Sequence, residues 1–574
     1  MADNHELARL FEEIATLLEL KGDNPFKIRA YQSAARFLEE LDEELPAFVA
    51  SGAMEKTKGF GQAIGQKVRE YLDTGRLSFY EDLKASVPAV LFELVSIPGL
   101  GPKKALQLHE KLHITSVGEL EYACRENRLI GLPGFGAKTQ AKLLQGIEYL
   151  KKHQGRFLLS EAWPLAEKIA DFLRRLPGVD RVEVAGSIRR RMETVKDIDI
   201  VLASDQPAAL QQLIAGMPGI QQVLSQGPAK VSLKLVTGIN VDIRLVRPEE
   251  MATALHHLTG SKDHHIALRG WAKERGLKIN EYGLEAAAEQ RLAVQDEPRL
   301  YQALGLPFIP PELREGMGEI QAAAAGRLPE LVKESDVRGV LHVHTTYSDG
   351  SSSLAELAAA AQRRGWQYLG ITDHSRTAVY ARGLQLETVL EQRREIERLN
   401  EANPQFRVLA GIESDILADG SLDYPDAVLA EFDFVIASVH SFFRLSEADM
   451  TQRIVTALSN RYVSILGHPT GRILLAREGY AVNLDAVLEA AAATGTIVEI
   501  NASPYRLDLD WRWCFKAREK GLLLAVNPDA HAVDELDSVR FGIATARKGW
   551  LSAGDIVNTR PAREAWALLR RKRP

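Results

Sequence analysis

Residues 186–202 read GSIRRRMETVKDIDIVL, and residues 241–245 read VDIRL. In the first stretch Asp197 and Asp199 alternate with Ile198 and Ile200. A period of two predicts a strand with both acids on one face and both isoleucines on the other. Asp242, set between Val241 and Ile243, repeats the pattern in a second strand. Three carboxylates from two neighbouring strands can hold two hard cations, and such oxygen ligands suit Mg2+. Two cations would clamp the attacking and leaving oxygens of an in-line phosphoryl transfer. Acids two residues apart also occur as solvated strand-edge residues, so the upstream context decides between the readings. There, Gly186 and Ser187 offer a phosphate backbone N–H groups and a hydroxyl, and Arg190 offers a cation for a leaving pyrophosphate.

On the N-terminal side one short pattern recurs three times: Gly59-Phe60-Gly61, Gly99-Leu100-Gly101 and Gly134-Phe135-Gly136, at intervals of 40 and 35 residues. Each precedes a helix-compatible stretch, so residues 1–155 read as all-helical. One such turn is an ordinary helix–helix connection. Three copies with matched flanks predict backbone N–H groups aimed at phosphates, as in helix-hairpin-helix elements, which position DNA without reading its sequence.

On the C-terminal side, Pro-rich residues 306–316 and an Ala-rich linker over 317–337 lead into alternating short strands and helices from about residue 338. That alternation predicts a parallel, barrel-like sheet. Candidate metal ligands recur at the ends of its predicted strands: His342, His344 and Asp349, then His374, Glu413, His440, His468, Asp529 and His531. One buried histidine proves little, but the C-terminal strand ends of a barrel are where active sites lie.

Composition sets the outer bounds. The chain has 574 residues, enough for about three or four domains, and a formal net charge of −6. Residues 1–80 carry 10 Lys/Arg against 14 Asp/Glu, so DNA contact there must come from local geometry rather than bulk charge. No apolar run suits a membrane span, the acidic amphipathic N-terminus is unlike a signal peptide, and Cys124 and Cys514 form no thiolate framework. These features predict a cytoplasmic protein without a membrane partner.

The motifs resemble those of the family X DNA polymerases over most of residues 5–316. GSIRRRMETVKDIDIVL and VDIRL look like the family's palm. LTGSKDHHIALRGWAKERGLKINEYGL, residues 258–284, looks like its thumb. NPFKIRAYQSAARFL (24–38) and GFGQAIGQKVREYL (59–72) look like its lyase domain. The resemblance implies that Asp197, Asp199 and Asp242 bind Mg2+ or Mn2+, with Asp242 also polarising the primer 3′-hydroxyl. Gly186, Ser187 and Arg190 would hold the triphosphate. Lys67, with Lys27 and Tyr31 beside it, falls where the lyase nucleophile lies, although a surface helix lysine is the plainer reading. Two departures stand out. The family's Tyr-Phe pair is His257-Leu258 here, and a nucleotide-contacting Asn is His265. His256, His257, His264 and His265 read as thumb-surface and nucleotide-pocket residues rather than metal ligands.

Residues 338–574 resemble the PHP (polymerase and histidinol phosphatase) phosphoesterase domain, with all nine ligand positions filled. This implies up to three divalent metals, Mn2+, Zn2+ or Fe2+. The expected architecture is therefore a helical helix-hairpin-helix region (1–80 lyase-like, 81–155 DNA-binding), an α+β nucleotidyltransferase palm (156–247), a thumb (248–316), a linker (317–337) and a TIM-like (β/α)7 PHP barrel (338–574). The expected enzyme is a monomeric bacterial gap-filling polymerase acting on gapped or nicked DNA and dNTPs. A 3′–5′ exonuclease or 3′-end phosphoesterase would accompany it, with possible 5′-deoxyribose-phosphate lyase or abasic-site endonuclease activity. The alternative is a DNA-end hydrolase whose weak palm serves only as a platform.

Overall fold

The computed structural model describes residues 4–573 except 40, 42–44, 53, 55–56, 58–59, 98, 152–154 and 287–289. The chain forms two compact units, Met1–Arg125 with Leu129–Leu150, and Glu126–Arg128 with Lys151–Pro574.

The first unit is helical. In α1 (Asn4–Leu20) the apolar residues Leu7, Phe11, Ile14, Leu17 and Leu18 recur at helical spacing and bury against Tyr31, Ala34 and Leu38 of α2 (Pro25–Glu39). The glycine pattern falls just ahead of α3 (Gln62–Thr74), α4 (Pro102–Leu112) and α5 (Ala137–Lys151). Gly99 and Gly134 lie in the left-handed region at φ +90° and +85°, which explains the first glycine of each pair. Gly61 and Gly101 cap α3 and α4 in extended conformations open to any residue, and a Cβ at Gly61, Gly101 or Gly136 would meet nothing within 4 Å. Among the described residues nothing demands glycine there, whereas a closely approaching backbone would. Gly59 lies outside the described residues.

The second unit begins with a five-stranded sheet: β1 (Arg181–Val184), β2 (Asp197–Ala203), β3 (Ile220–Gly227), β4 (Lys230–Leu235) and β5 (Asn240–Val246), in the order β1-β2-β5-β4-β3. Strands β2 and β5 run parallel, and the other pairs are antiparallel. Ile198, Ile200, Val241 and Ile243 pack with Ala166, Ile169 and Leu173 of α6 (Leu159–Arg174), leaving the acids on the opposite face.

The following helices, α7 (Met251–Thr259) and α8 (Lys262–Lys273), share a core with Tyr301, Leu304 and Ile309. Two expectations are corrected here. His256 and His264 lie in the interior rather than on a thumb surface. The His264 ring bonds Glu319 at 2.6 Å and the Tyr301 hydroxyl at 2.9 Å, so its polarity is satisfied inside the core. Residues 317–337 are also more than a linker. They include α9 (Glu319–Ala324), whose Ile320 and Ala323 are buried in that core together with Leu331.

Seven parallel strands follow in sequential order: β6 (Gly339–Val340), β7 (Tyr368–Ile371), β8 (Arg407–Asp415), β9 (Phe434–Ser438), β10 (Ile465–Leu466), β11 (Ile497–Asn501) and β12 (Leu524–Asn527). Nearly all their residues are buried, as expected of parallel strands covered on both faces. A bridge between Val343 and Ala530, with the His344 N–H donating to the Ala530 carbonyl at 2.8 Å, brings the first and last strands together into a nearly closed barrel. The barrel packs directly on the palm sheet's domain. Leu507 and Phe541 belong to the palm's core, and Arg472 pairs with Glu193 at 3.2 Å.

Two candidate active sites

In the palm, the parallel register sets Asp199 directly opposite Asp242, with Asp197 one alternation away on the same face. Gly186 lies against them at φ +60°, and a Cβ there would fall 2.0 Å from Asp199 Oδ2. Only glycine allows the turn to approach the acids this closely. Ser232 Oγ and Lys230 Nζ donate to the two oxygens of Asp242 at 2.6 and 2.8 Å and hold that carboxylate in place. Burial, followed by repulsion from Asp197 and Asp242, pushes Asp199 up to about 7. Burial and Asp242 also raise Asp197. Such a concentration of negative charge, with Lys230, Lys196 and Arg190 as nearby cations, suits divalent ions.

The turn Gly186–Arg189 carries Ser187 and leads to Arg190. The Arg190 guanidinium donates from Nε to Glu315 at 2.9 Å and from Nη1 to the Thr259 carbonyl. In this structure the side chain proposed for the triphosphate thus spans palm and thumb. Nearby, the rings of His257 and His265 stack 5.4 Å apart in a small pocket with Arg269 and Asn280. Burial drives His265 down to about 4, so it presents a neutral ring.

In the helical unit Lys67 is half-buried on α3, with its amine 4.5 Å from the Phe79 ring centroid. Lys27 lies over the same ring, and Tyr31 stacks on it at 6.2 Å. Burial lowers the Lys67 amine below the ordinary lysine range, and Lys27 adds to the effect.

The barrel gathers all nine of its expected residues. Three groupings place ligand atoms within 4.8 Å of one another: His344, Asp349, His374 and His531; His342, His344 and Asp529; and His374, Glu413 and His440. His468 joins through Nε2, 2.9 Å from Glu413. Burial works against charge on Asp349, Glu413 and Asp529, yet the surrounding imidazoles hold all three well below the carboxylate range. Burial likewise opposes charge on His342 and His531, but the facing carboxylates raise both well above the usual value. His344 goes the other way: burial, then His531 and His374, take it to about 3. Buried carboxylates in this number need positive charge, which imidazole protons provide here and a divalent cation would replace. The buried atoms His342 Nε2, His344 Nδ1, Asp349 Oδ2 and His531 Nε2 make no well-formed hydrogen bond. They point into the cluster, so the donor set fits divalent metals.

Comparison with known proteins agrees with this layout. Residues 2–77 match a helix-hairpin-helix domain, 91–148 a SAM-like helix-hairpin-helix tandem, 254–315 the DNA polymerase beta thumb and 341–503 the PHP domain. The DNA polymerase/3′–5′ exonuclease PolX of Bacillus subtilis is 41% identical over 569 residues, 99% of each chain. The chain belongs to the PolX family of DNA polymerase/3′–5′ exonucleases. Probable phosphatases of Thermoanaerobacter sp. strain X514 and of Caldanaerobacter subterraneus match part of the chain. The first is 30% identical over 38% of this chain and 89% of its own length, the second 32% over 33% and 74%. Among the described residues no helix is long and apolar enough to cross a membrane.

The barrel of this PolX-family chain uses residues that the sequence reading did not single out. Glu499 accepts from His342 Nδ1 at 2.7 Å and from the His468 N–H at 2.8 Å, which turns His342 Nε2 inward. Asp415 accepts from His440 Nδ1 at 2.7 Å. Asn501 Nδ2 donates to Asp529 at 2.9 Å. The available signal for Glu499 was an acid at the centre of the wholly buried strand IVEIN.

Proposed function

We propose that the palm extends the 3′ end of a gap or nick in DNA with deoxynucleoside triphosphates, and that the barrel removes 3′-terminal nucleotides by hydrolysis. The observation that carries this reading is the facing pair Asp199 and Asp242 beside the Gly186 turn, on the same chain as a complete nine-residue His/Asp/Glu cluster. Asp197, Asp199 and Asp242 would hold Mg2+ or Mn2+, which would stabilise charge on the transferring phosphoryl group. Asp242, oriented by Lys230 and Ser232, would draw the proton of the primer hydroxyl. The Gly186-Ser187 turn and Arg190 would bind the triphosphate.

In the barrel, His342, His344, Asp349, His374, Glu413, His440, His468, Asp529 and His531 would hold up to three divalent ions (Mn2+, Zn2+ or Fe2+), which would supply Lewis acidity toward a phosphodiester and water. Glu499 and Asp415 orient the imidazoles that would hold them. The hairpin glycines Gly61, Gly99, Gly101, Gly134 and Gly136 would set the DNA backbone over α3, α4 and α5, with the protein acting as a monomer. The lowered Lys67 amine favours a second activity, Schiff-base chemistry on a 5′-deoxyribose-phosphate end.

Gapped DNA with a mismatched or single-stranded 3′ end separates the two main activities, with Mg2+ and Mn2+ compared. Asp242→Ala should abolish extension and spare 3′ trimming, and His344→Ala should do the reverse. Equal loss of both activities in either variant would refute the division of labour.

A further inference from the structure

The last helix of the barrel to meet the palm is α10 (Val539–Lys548), and its terminal residue reaches the polymerase side. The Lys548 side chain is fully buried. Its ammonium donates to the backbone carbonyl of Arg190 at 3.1 Å and to Glu315 Oε1, and lies 4.6 Å from the Trp511 ring centroid. Glu315 Oε1 is the same oxygen that accepts from Arg190 Nε at 2.9 Å. One carboxylate oxygen therefore joins a cation from the barrel to the arginine that follows the phosphate-facing turn.

We propose that Lys548 is a positioning residue for the palm's nucleotide site, so that the barrel domain helps build the polymerase pocket. The inference rests on the assignment of Arg190 to the triphosphate. Lys548 acts at two points. Its bond to the Arg190 carbonyl fixes the C-terminal end of the Gly186–Arg189 turn, and with it the N–H groups and the Ser187 hydroxyl at the other end. Its charge compensates Glu315, whose exposure is only 13%. With Lys548 present, Arg190 can swing to a triphosphate without leaving a buried carboxylate unpaired. Without it, Glu315 has Arg190 as its cation and retains it.

The test uses the full-length protein on gapped DNA, with dNTP KM, kcat and 3′ trimming measured for Arg190→Ala, Lys548→Met and Lys548→Met/Glu315→Gln. Lys548→Met should raise dNTP KM by about tenfold to a hundredfold, as loss of a charge-assisted bond does. Its kcat should change less than threefold, and 3′ trimming should stay at the wild-type rate. The double variant, which removes the competing carboxylate, should recover most of the KM. Three results would overturn the proposal. If Arg190→Ala raises KM but Lys548→Met does not, Lys548 has no such role and the palm assignment stands. If Arg190→Ala leaves KM unchanged, the triphosphate assignment falls and the proposal with it. If Lys548→Met lowers extension and trimming alike, with no recovery in the double variant, the lysine only holds the domains together. Should Lys548→Met fail to fold, the charge-neutral double variant still decides: dNTP KM near wild type is expected, and a KM as high as that of Arg190→Ala refutes.

Discussion

Replacing Glu499 by Gln changes one oxygen to an NH2 group and leaves the shape of the side chain almost intact. In the structure all four polar neighbours donate to this carboxylate: His342 Nδ1 at 2.7 Å and Asn527 Nδ2 at 3.0 Å to Oε1, and the His468 N–H at 2.8 Å and Asn501 Nδ2 at 3.3 Å to Oε2. An amide in either orientation sets its own donors against two of them. Each buried donor left without an acceptor costs about 1–3 kcal/mol. Rotation of the His342 ring would relieve that cost but would turn Nε2 away from Glu413 and Asp529, which face it at 3.4 and 3.3 Å. Loss of a residue that orients a metal-binding histidine lowers metal affinity by roughly 10–100-fold. The expected Glu499→Gln protein folds, loses divalent metal on dialysis when measured by elemental analysis, and trims 3′ ends about 10–100-fold more slowly at limiting Mn2+. Excess Mn2+ should restore part of the rate, and gap filling should be unaffected. A Glu499→Gln protein with wild-type metal content and wild-type trimming would refute the reasoning.

Further outcomes follow from the charged groups. Asp199 stands at about 7 in the fold against an ordinary 3.8, so between those values the folded chain keeps a proton that the unfolded chain has released. The contribution of Asp199 to the stability of the cation-free protein should therefore fall as pH rises through that window, and Mg2+ should counter the loss above it. Conversely, Mg2+ affinity of the palm should drop roughly tenfold per pH unit below 7; a calorimetric affinity flat from pH 6 to 8 would contradict this. Lys67, half-buried with a lowered amine, should be trapped by borohydride on a 5′-deoxyribose-phosphate end, and Lys67→Ala should not. Equal trapping of both proteins would exclude Lys67 as the nucleophile.

Much of this was legible because it rests on local periodicity. The alternation through Asp197 and Asp199 specifies a strand face without any knowledge of the partner, and the barrel histidines recur at strand ends that hydrophobic runs already mark. The misreadings share a different cause. His264 has the composition of a surface residue, and only the packing of Tyr301 and Glu319 around it, 37 and 55 residues away in the chain, makes a buried imidazole tolerable. The helix within the Ala-rich stretch 317–337 carries one long apolar side chain, yet Ile320 and Ala323 suffice to seat it. Glu499 is not marked in the sequence, because an acid in an apolar strand follows no spacing rule. Its four donors come from four places in the chain, residues 342, 468, 501 and 527. Lys548 reads as the last cation of a helix until the palm is placed beside it.

The closing bridge of the barrel, Val343 to Ala530, lies between two pairs of cluster residues: His342 and His344 on one strand end, Asp529 and His531 on the other. Only a short stretch of backbone pairing joins those strands, so the side chains across the seam share in holding it. A cation bound there would act as a rivet. Because such a cation favours the closed form alone, its binding free energy adds directly to the resistance of the seam to opening, by about 2.7 kcal/mol at a hundred times the dissociation constant. Amide protons of residues 342–344 and 529–531 would then report metal loading by slower hydrogen exchange. Depletion of metal would unzip the cylinder at this edge before its other strands part.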